Sequence, residues 1–573
     1  MISPPHPRGR EGLLFLGVAI AFGLLVWAIL PAWPIAMNDD FGYLRSVIET
    51  IRHGRPWTDD FLEPWSLSLV AVSAAIFKAT GSMYWATIAL QTVLSAVSCW
   101  LACRIARDRG FGPFASAGIA LILLTFPTVI WKQVEYTAMV VYLPCLLAAL
   151  WCAGRERWAG FFLAWAVAVA SRQGAVAWLA LPVLAGAAAA LREKTIARLR
   201  VPALLVIAAA VWFLLLRTFA NETHAQRYLT SQLLARLSLP TVWMNLKIGL
   251  WVLAVATGCA ALLLRLLRPQ PGEPRPGTVY RVATAAVALG LLATLPLVAN
   301  SILLSFEHPF FENVWAVSYL RSLVVAAAVG WLLAPPSFRV AFLGAALAAL
   351  LLTSLRAELW DYYLVDAALL AFFAVRSRSA GTAAEIPRPV RLRWLGPALG
   401  GALVLGIIVL QVRATGPLRQ TVDQRTAACS VLEKAMRAGW MQPTELPDVP
   451  FGFAGWHLLP HYLAHEGKTS TDLGGFGIYV AKDVVSIMIQ DLNRSELRAQ
   501  RKMKLPLDPA HPFSEIHPRG WFRWARYTLD RPAGSRPADV PLDPNAYRYE
   551  RFPLNDAEWR ELARSASANS SPR

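Results

Sequence analysis

The sequence predicts an all-α polytopic membrane domain of about thirteen transmembrane helices over residues 1–412, followed by an α+β water-soluble domain over 413–573. Three observations predict it. Hydrophobic residues make up 56% of the 573-residue chain, more apolar surface than a soluble protein covers. Apolar runs of about 17 to 24 residues recur from Leu13 to Val412, enough for a hydrocarbon layer of roughly 30 Å. After Arg413 the texture turns to mixed polar and apolar residues, nearly charge-balanced at 22 Lys/Arg and 18 Asp/Glu.

The spans fall, in order, at 13–33, 84–104, 113–131, 137–153, 158–170, 174–191, 200–218, 243–267, 282–304, 314–334, 338–355, 359–376 and 394–412. The first is too long for a cleaved leader and lacks a small-residue cleavage site. With the N-terminus in the cytoplasm, the segments on that side are the N-terminus itself, RIARDR, GRER, LREKTIARLR, RLLRPQPGEPRPGTVYR, PPSFR and the RSRS…RPVRLR stretch. All seven together hold 21 Lys/Arg against 6 Asp/Glu, whereas the opposite loops are close to balance. This bias orients the chain in the cytoplasmic (inner) membrane, with the C-terminal domain on the outer, periplasmic side. The net charge of +18 therefore points to membrane topology and not to nucleic acid. Segment 64–80 is apolar enough to span, but as a crossing it would invert every later loop. It is expected to lie along the outer face.

Five of the six cysteines (Cys99, Cys103, Cys145, Cys152, Cys259) fall in or beside spans and Cys429 stands in the outer domain, so no disulfide framework is implied. The first outer loop, 34–83, carries Asp39 and Asp40 and then DFGYLRSVIETIRHG. Phe41, Leu44, Val47, Ile48 and Ile51 recur there at helical spacing, which predicts an interfacial amphipathic helix stopped by Gly54 and Pro56. Either aspartate can cap that helix and favour its dipole, and one can do so while the other reacts.

Other ionisable groups gather on the same face. Lys132 and Glu135 end one span, Arg172 and Gln173 occupy a short turn, and Arg321 sits within a span. A charge at the bilayer centre costs roughly 2.5–3.5 kcal/mol, so such groups pair with one another or line a cavity. Glu135 is expected to pair with Arg172 or Lys132. The 219–242 loop adds His224 and Arg227, and FGFAGWHLLPHYLAH in the outer domain adds Trp456, His457 and His461, candidates for contact with a sugar or polar acceptor. A helix is expected over 421–438, and the last ten or so residues have the composition of a disordered tail.

A first span, an outer loop opening with paired acids, an outer-facing second acid and a short basic turn resemble the GT-C superfamily of integral-membrane glycosyltransferases. The resemblance covers roughly residues 13 to 218, and NDDFGY and SRQG carry it. It implies a polyprenyl-phosphate sugar as donor, a glycan, glycolipid or protein as acceptor, and surrounding membrane lipids as partners. It implies a catalytic base at Asp39 or Asp40, with Asp39 matching the first acid of the pair, and a donor-phosphate role for Arg172. Lys132 and Arg321 can add positive charge to that phosphate. Relatives commonly place the second acid near Met139, where Glu135 is the available substitute. No cofactor is required; paired acids can also hold a divalent cation through oxygen ligands, and relatives differ on this. A flippase for lipid-linked glycans is the alternative. It would carry charge along a central path, where this chain is poor in it.

Overall fold

The structure, a computed structural model, describes residues 8–30, 40–58, 66–220, 238–267, 277–297, 314–333, 337–356, 361–376 and 390–414. The expected soluble domain, Asp39, His224, Arg227 and His457 lie outside the described residues.

Helix occupies every predicted span. α1 (Arg8–Ile29) is followed by α2 (Asp40–His53) and α3 (Leu67–Thr80). Next come α4 (Leu90–Asp108), α5 (Pro113–Leu124), α6 (Pro127–Val134), α7 (Met139–Gly154) and α8 (Trp158–Val169). A 3-10 turn, Gln173–Leu179, leads into α9 (Ala180–Glu193), and α10 (Arg200–Phe219) follows. The remainder are α11 (Leu239–Leu267), α12 (Thr278–Ala293), α13 (Val314–Leu333), α14 (Val340–Ser354), α15 (Val365–Ala374) and α16 (Val390–Ala414). Five of the described helices are long and apolar enough to cross a membrane alone, and shorter apolar helices fill the other spans. By length and composition this is a multi-pass membrane protein.

Ion pairs tie together the helix ends that bear the arginines. Arg107 at the end of α4 forks onto Glu11 at the start of α1, at 3.1 and 2.9 Å. Arg155 beyond α7 forks onto Asp108 at 2.7 and 2.8 Å. Arg109 lies over the rings of Phe342 and Phe373, at 4.7 and 5.9 Å, which brings the start of α14 and the end of α15 to the same place. There Ser337 and Phe338 pair antiparallel with Arg376 and Val375. The described parts of RIARDR, GRER and PPSFR and the start of α1 thus share one end of the bundle.

Close backbone approach holds α11 against α13. A Cβ on Gly330 would stand 1.9 Å from the Gly258 carbonyl oxygen, so only hydrogen fits at that crossing.

The predicted span 113–131 is not straight. α5 and α6 meet at an angle of 71°. Pro127 supplies no N–H and pushes Phe126 out of the helical region, to ψ 131°. At the bend the Thr125 hydroxyl lies 2.7 Å from the Leu121 carbonyl and 2.6 Å from the Gln411 side-chain oxygen of α16, and the Gln411 amide donates to the Ile122 carbonyl at 3.0 Å, satisfying a group the break exposes.

Within segment 64–80, the described part is α3 and its N-terminal flank. The Leu67 and Ser68 amides donate to the Ala170 carbonyl at the end of α8, at 2.8 and 2.9 Å. Ser73, midway along α3, accepts from Tyr136. Gly81, at φ +64°, closes the helix by donating to Phe77. Both ends of α3 therefore stay at the end of the bundle opposite the arginines.

Candidate active site

The site is built at that opposite end from three chain segments. The first is the turn after α6. Glu135 accepts from the Lys132 ammonium and from the Trp131 indole. Lys132 is 4% exposed and Glu135 1%, so the pair is interior and each charge depends on the other. Of the two expected partners for Glu135, Lys132 is the one that meets it. The positive charge assigned to the donor phosphate from Lys132 is thereby already matched by a carboxylate.

The second segment is α2, which starts at Asp40 as the acid pair predicts. Its stop at Gly54, φ +65°, also agrees. Of the expected apolar face, Leu44 and Val47 are interior, and Tyr43, Ser46 and Thr50 are buried beside them, the Ser46 and Thr50 hydroxyls with local partners. Ser46 donates to the Gly42 carbonyl at 2.6 Å, and Thr50 accepts the Trp57 amide at 2.9 Å. Tyr43 meets Tyr136 edge to face, with ring centroids 6.5 Å apart.

The third segment is the turn between α8 and the Gln173–Leu179 helix. Arg172 has extended backbone, φ −161°, and its amide bonds the Ala168 carbonyl at 2.8 Å. The buried guanidinium donates to the Met139 sulfur at 3.2 Å. It lies 5.6 Å from the Tyr142 ring centroid and 4.6 Å from that of Tyr363. Arg356 stacks on Tyr363 as well, at 4.0 Å, so one phenol ring serves two guanidiniums.

Next to Arg172 is an acid that the span assignment hides. Asp366, in the first turn of α15, is buried. Its Oδ2 accepts from the Tyr142 hydroxyl and, at 3.2 Å, from the Trp178 indole. Its Oδ1 is buried without a hydrogen-bond partner. The signal was in the sequence: VDAALLAFFA carries one carboxylate inside an apolar run, the same anomaly that drew attention to Arg321.

Lys132, Glu135 and Arg172 thus share one end of the bundle, linked by the 131–142 stretch. Arg321 stands apart. It is exposed on α13, beside a groove lined by Leu295, Pro296 and Leu262. Among the described residues no group of three or more His, Cys, Asp or Glu is arranged to hold a metal ion.

No family model matches the chain, and no curated protein matches it. Among solved structures it is similar to ArnT from Cupriavidus metallidurans bound to undecaprenyl phosphate, at 15% identity. The match covers 78% of this chain and 84% of that one, with a TM-score of 0.33. A likeness this loose neither fixes the fold nor transfers a residue's role.

Proposed function

We propose that the chain is a GT-C-type membrane glycosyltransferase, moving a sugar from a polyprenyl phosphate to a glycan, lipid or protein acceptor at the outer face of the cytoplasmic membrane. In this reading thirteen helices cross the bilayer and the C-terminal domain is periplasmic. The observation that carries it is the gathering of Arg172, the Lys132–Glu135 pair and helix α2 at one end of the bundle, opposite the arginine-rich end.

The chemistry suits that placement. A polyprenyl phosphate is a membrane-embedded leaving group, so its glycosidic bond lies at the bilayer surface. The acceptor oxygen forms a bond to the anomeric carbon as the bond from that carbon to the phosphate oxygen breaks, and the electron pair leaves with the phosphate. Asp39 takes the acceptor's proton, with Asp40 opening α2 beside it. Arg172 stabilises the charge that grows on the departing phosphate. One displacement at carbon inverts the sugar's configuration. Glu135 holds Lys132 in place and supplies the second outer acid.

Mass analysis of envelope glycans and glycolipids, with and without the protein, tests the reading. Loss of one glycosylated species on deletion is expected. Loss of that species with lipid-linked sugar trapped on the cytoplasmic side would favour a flippase instead, and an unchanged inventory would overturn the reading.

A further inference from the structure

Arg321 is a charge inside an apolar span for which the proposed reaction has no use. It follows Val314, the first residue of α13, by about 10 Å along the helix. The Tyr319 hydroxyl, on the turn before it, accepts from the Gln411 amide at 2.6 Å, close to the bend between α5 and α6. Val324, Ala327 and Ala328 are buried against the bundle, whereas Arg321 and Val325 are exposed on the other side of α13. Arg321, Val325 and Val329 recur at helical spacing and so line one stripe. That stripe is the floor of a groove whose walls come from three other helices: Leu262 of α11, Pro296 just beyond α12 and Leu403 of α16. The groove holds about 760 Å³, within the roughly 300–1,000 Å³ typical of ligand sites. Of its described lining residues Arg321 alone is charged, and among the described residues no carboxylate pairs with it.

We propose that this groove binds an anionic phospholipid, with its phosphate on the Arg321 guanidinium and an acyl chain along Val325 and Val329, between Leu262 and Leu403. A charge inside a span costs free energy unless something counters it, and the described side chains around Arg321 do not. The guanidinium fork matches two phosphate oxygens, and its long stem reaches toward the head-group layer. With no carboxylate in the lining, the ammonium of a zwitterionic head group finds no partner there. A head group of net negative charge therefore fits better. The apolar walls gain free energy from a hydrocarbon chain and nothing from a water-soluble phosphate. The bound lipid ties α12 and α16 to α11 and α13. This site stands on the membrane-spanning character of the chain and is independent of sugar transfer.

The test uses the full chain in nanodiscs of phosphatidylcholine, with or without phosphatidylglycerol, comparing wild type, R321Q, R321K and V325W. Melting temperature is read in both lipids, and native mass spectrometry identifies the phospholipid that stays bound on release into detergent. Phosphatidylglycerol is expected to raise the melting temperature of wild type and to stay bound in preference to phosphatidylcholine. R321Q loses that preference, its affinity for phosphatidylglycerol falling about fivefold, the contribution of one basic residue near an anionic surface. In phosphatidylcholine alone R321Q melts like wild type, and R321K keeps part of the preference. V325W keeps the charge but fills the groove, and is expected to retain less lipid. An equal drop in melting temperature for R321Q in both lipids would mean that the guanidinium serves a partner within the chain, and would overturn the proposal. A preference that survives in R321Q, or that inorganic phosphate reproduces without the lipid, would overturn it too. Retention of undecaprenyl phosphate in strong preference to phosphatidylglycerol, lost in R321Q, would assign the groove to the sugar donor and count equally against it. If R321Q does not accumulate, V325W decides: unchanged lipid retention there contradicts the proposed seat of the acyl chain.

Discussion

Tyr43 and Tyr136 meet edge to face, ring centroids 6.5 Å apart, and thereby bind the helix that begins at Asp40 to the turn that carries Glu135. Tyr43 lies one turn after Asp40 and Tyr136 immediately after Glu135, so the contact sets the spacing between the two acidic segments. An aromatic pair of this kind contributes about 0.5–1.5 kcal/mol beyond its buried area. Tyr43→Leu is expected to slow sugar transfer by about tenfold at unchanged protein level, since misplacing a reacting group by an ångström can cost more. Tyr43→Phe keeps the ring and should retain most of the rate. Initial rates in isolated membranes check this.

The Lys132–Glu135 pair predicts an asymmetry in stability. Glu135→Gln takes away the carboxylate to which the buried Lys132 ammonium donates, and is expected to destabilise the protein by about 3–5 kcal/mol. Adding Lys132→Met to that variant removes the buried ammonium as well and should recover part of the loss. Thermal unfolding of the two variants beside wild type gives the comparison. A double variant no more stable than Glu135→Gln alone would mean the lysine is not held by that carboxylate.

Topology is open to direct labelling. Lys78 closes α3 at the site end, and Ala197 is exposed in the turn before α10, at the arginine end. In a background without native cysteines, Lys78→Cys should react with a membrane-impermeant thiol reagent added outside intact cells. Ala197→Cys should react only after permeabilisation. The reverse pattern would turn the whole orientation over and put the site in the cytoplasm.

The positions of the apolar helices were legible because a bilayer imposes a length on apolar runs. The bonds of Leu67 and Ser68 to Ala170 tie the start of α3 to the end of α8, a contact that loop charge does not encode. The break in the third span was missed because 113–131 was read as one apolar run; Pro127 was the available signal, and Thr125 and Gln411 meet at the 71° bend across 286 residues, which no local pattern encodes. The burial of two polar residues on α2 was hidden for a similar reason: Ser46 and Thr50 look solvent-facing until their backbone partners are known. Within the site, proximity in sequence revealed Lys132 with Glu135. Asp366 was concealed by its apolar neighbours and by the 188 and 224 residues that separate it from Trp178 and Tyr142. The direction a lone Arg takes on a helix was equally unreadable, and Arg321 points outward.

The most direct test of the account is transfer of labelled sugar from a polyprenyl-phosphate pool to envelope material, in membranes holding equal amounts of wild type, Asp39→Asn or Asp40→Asn. Loss of a positioned general base removes about 10²- to 10⁴-fold of rate, and that loss is expected for Asp39→Asn, with a smaller one for Asp40→Asn. Transfer at the wild-type rate in both variants, with the protein folded, would contradict the account.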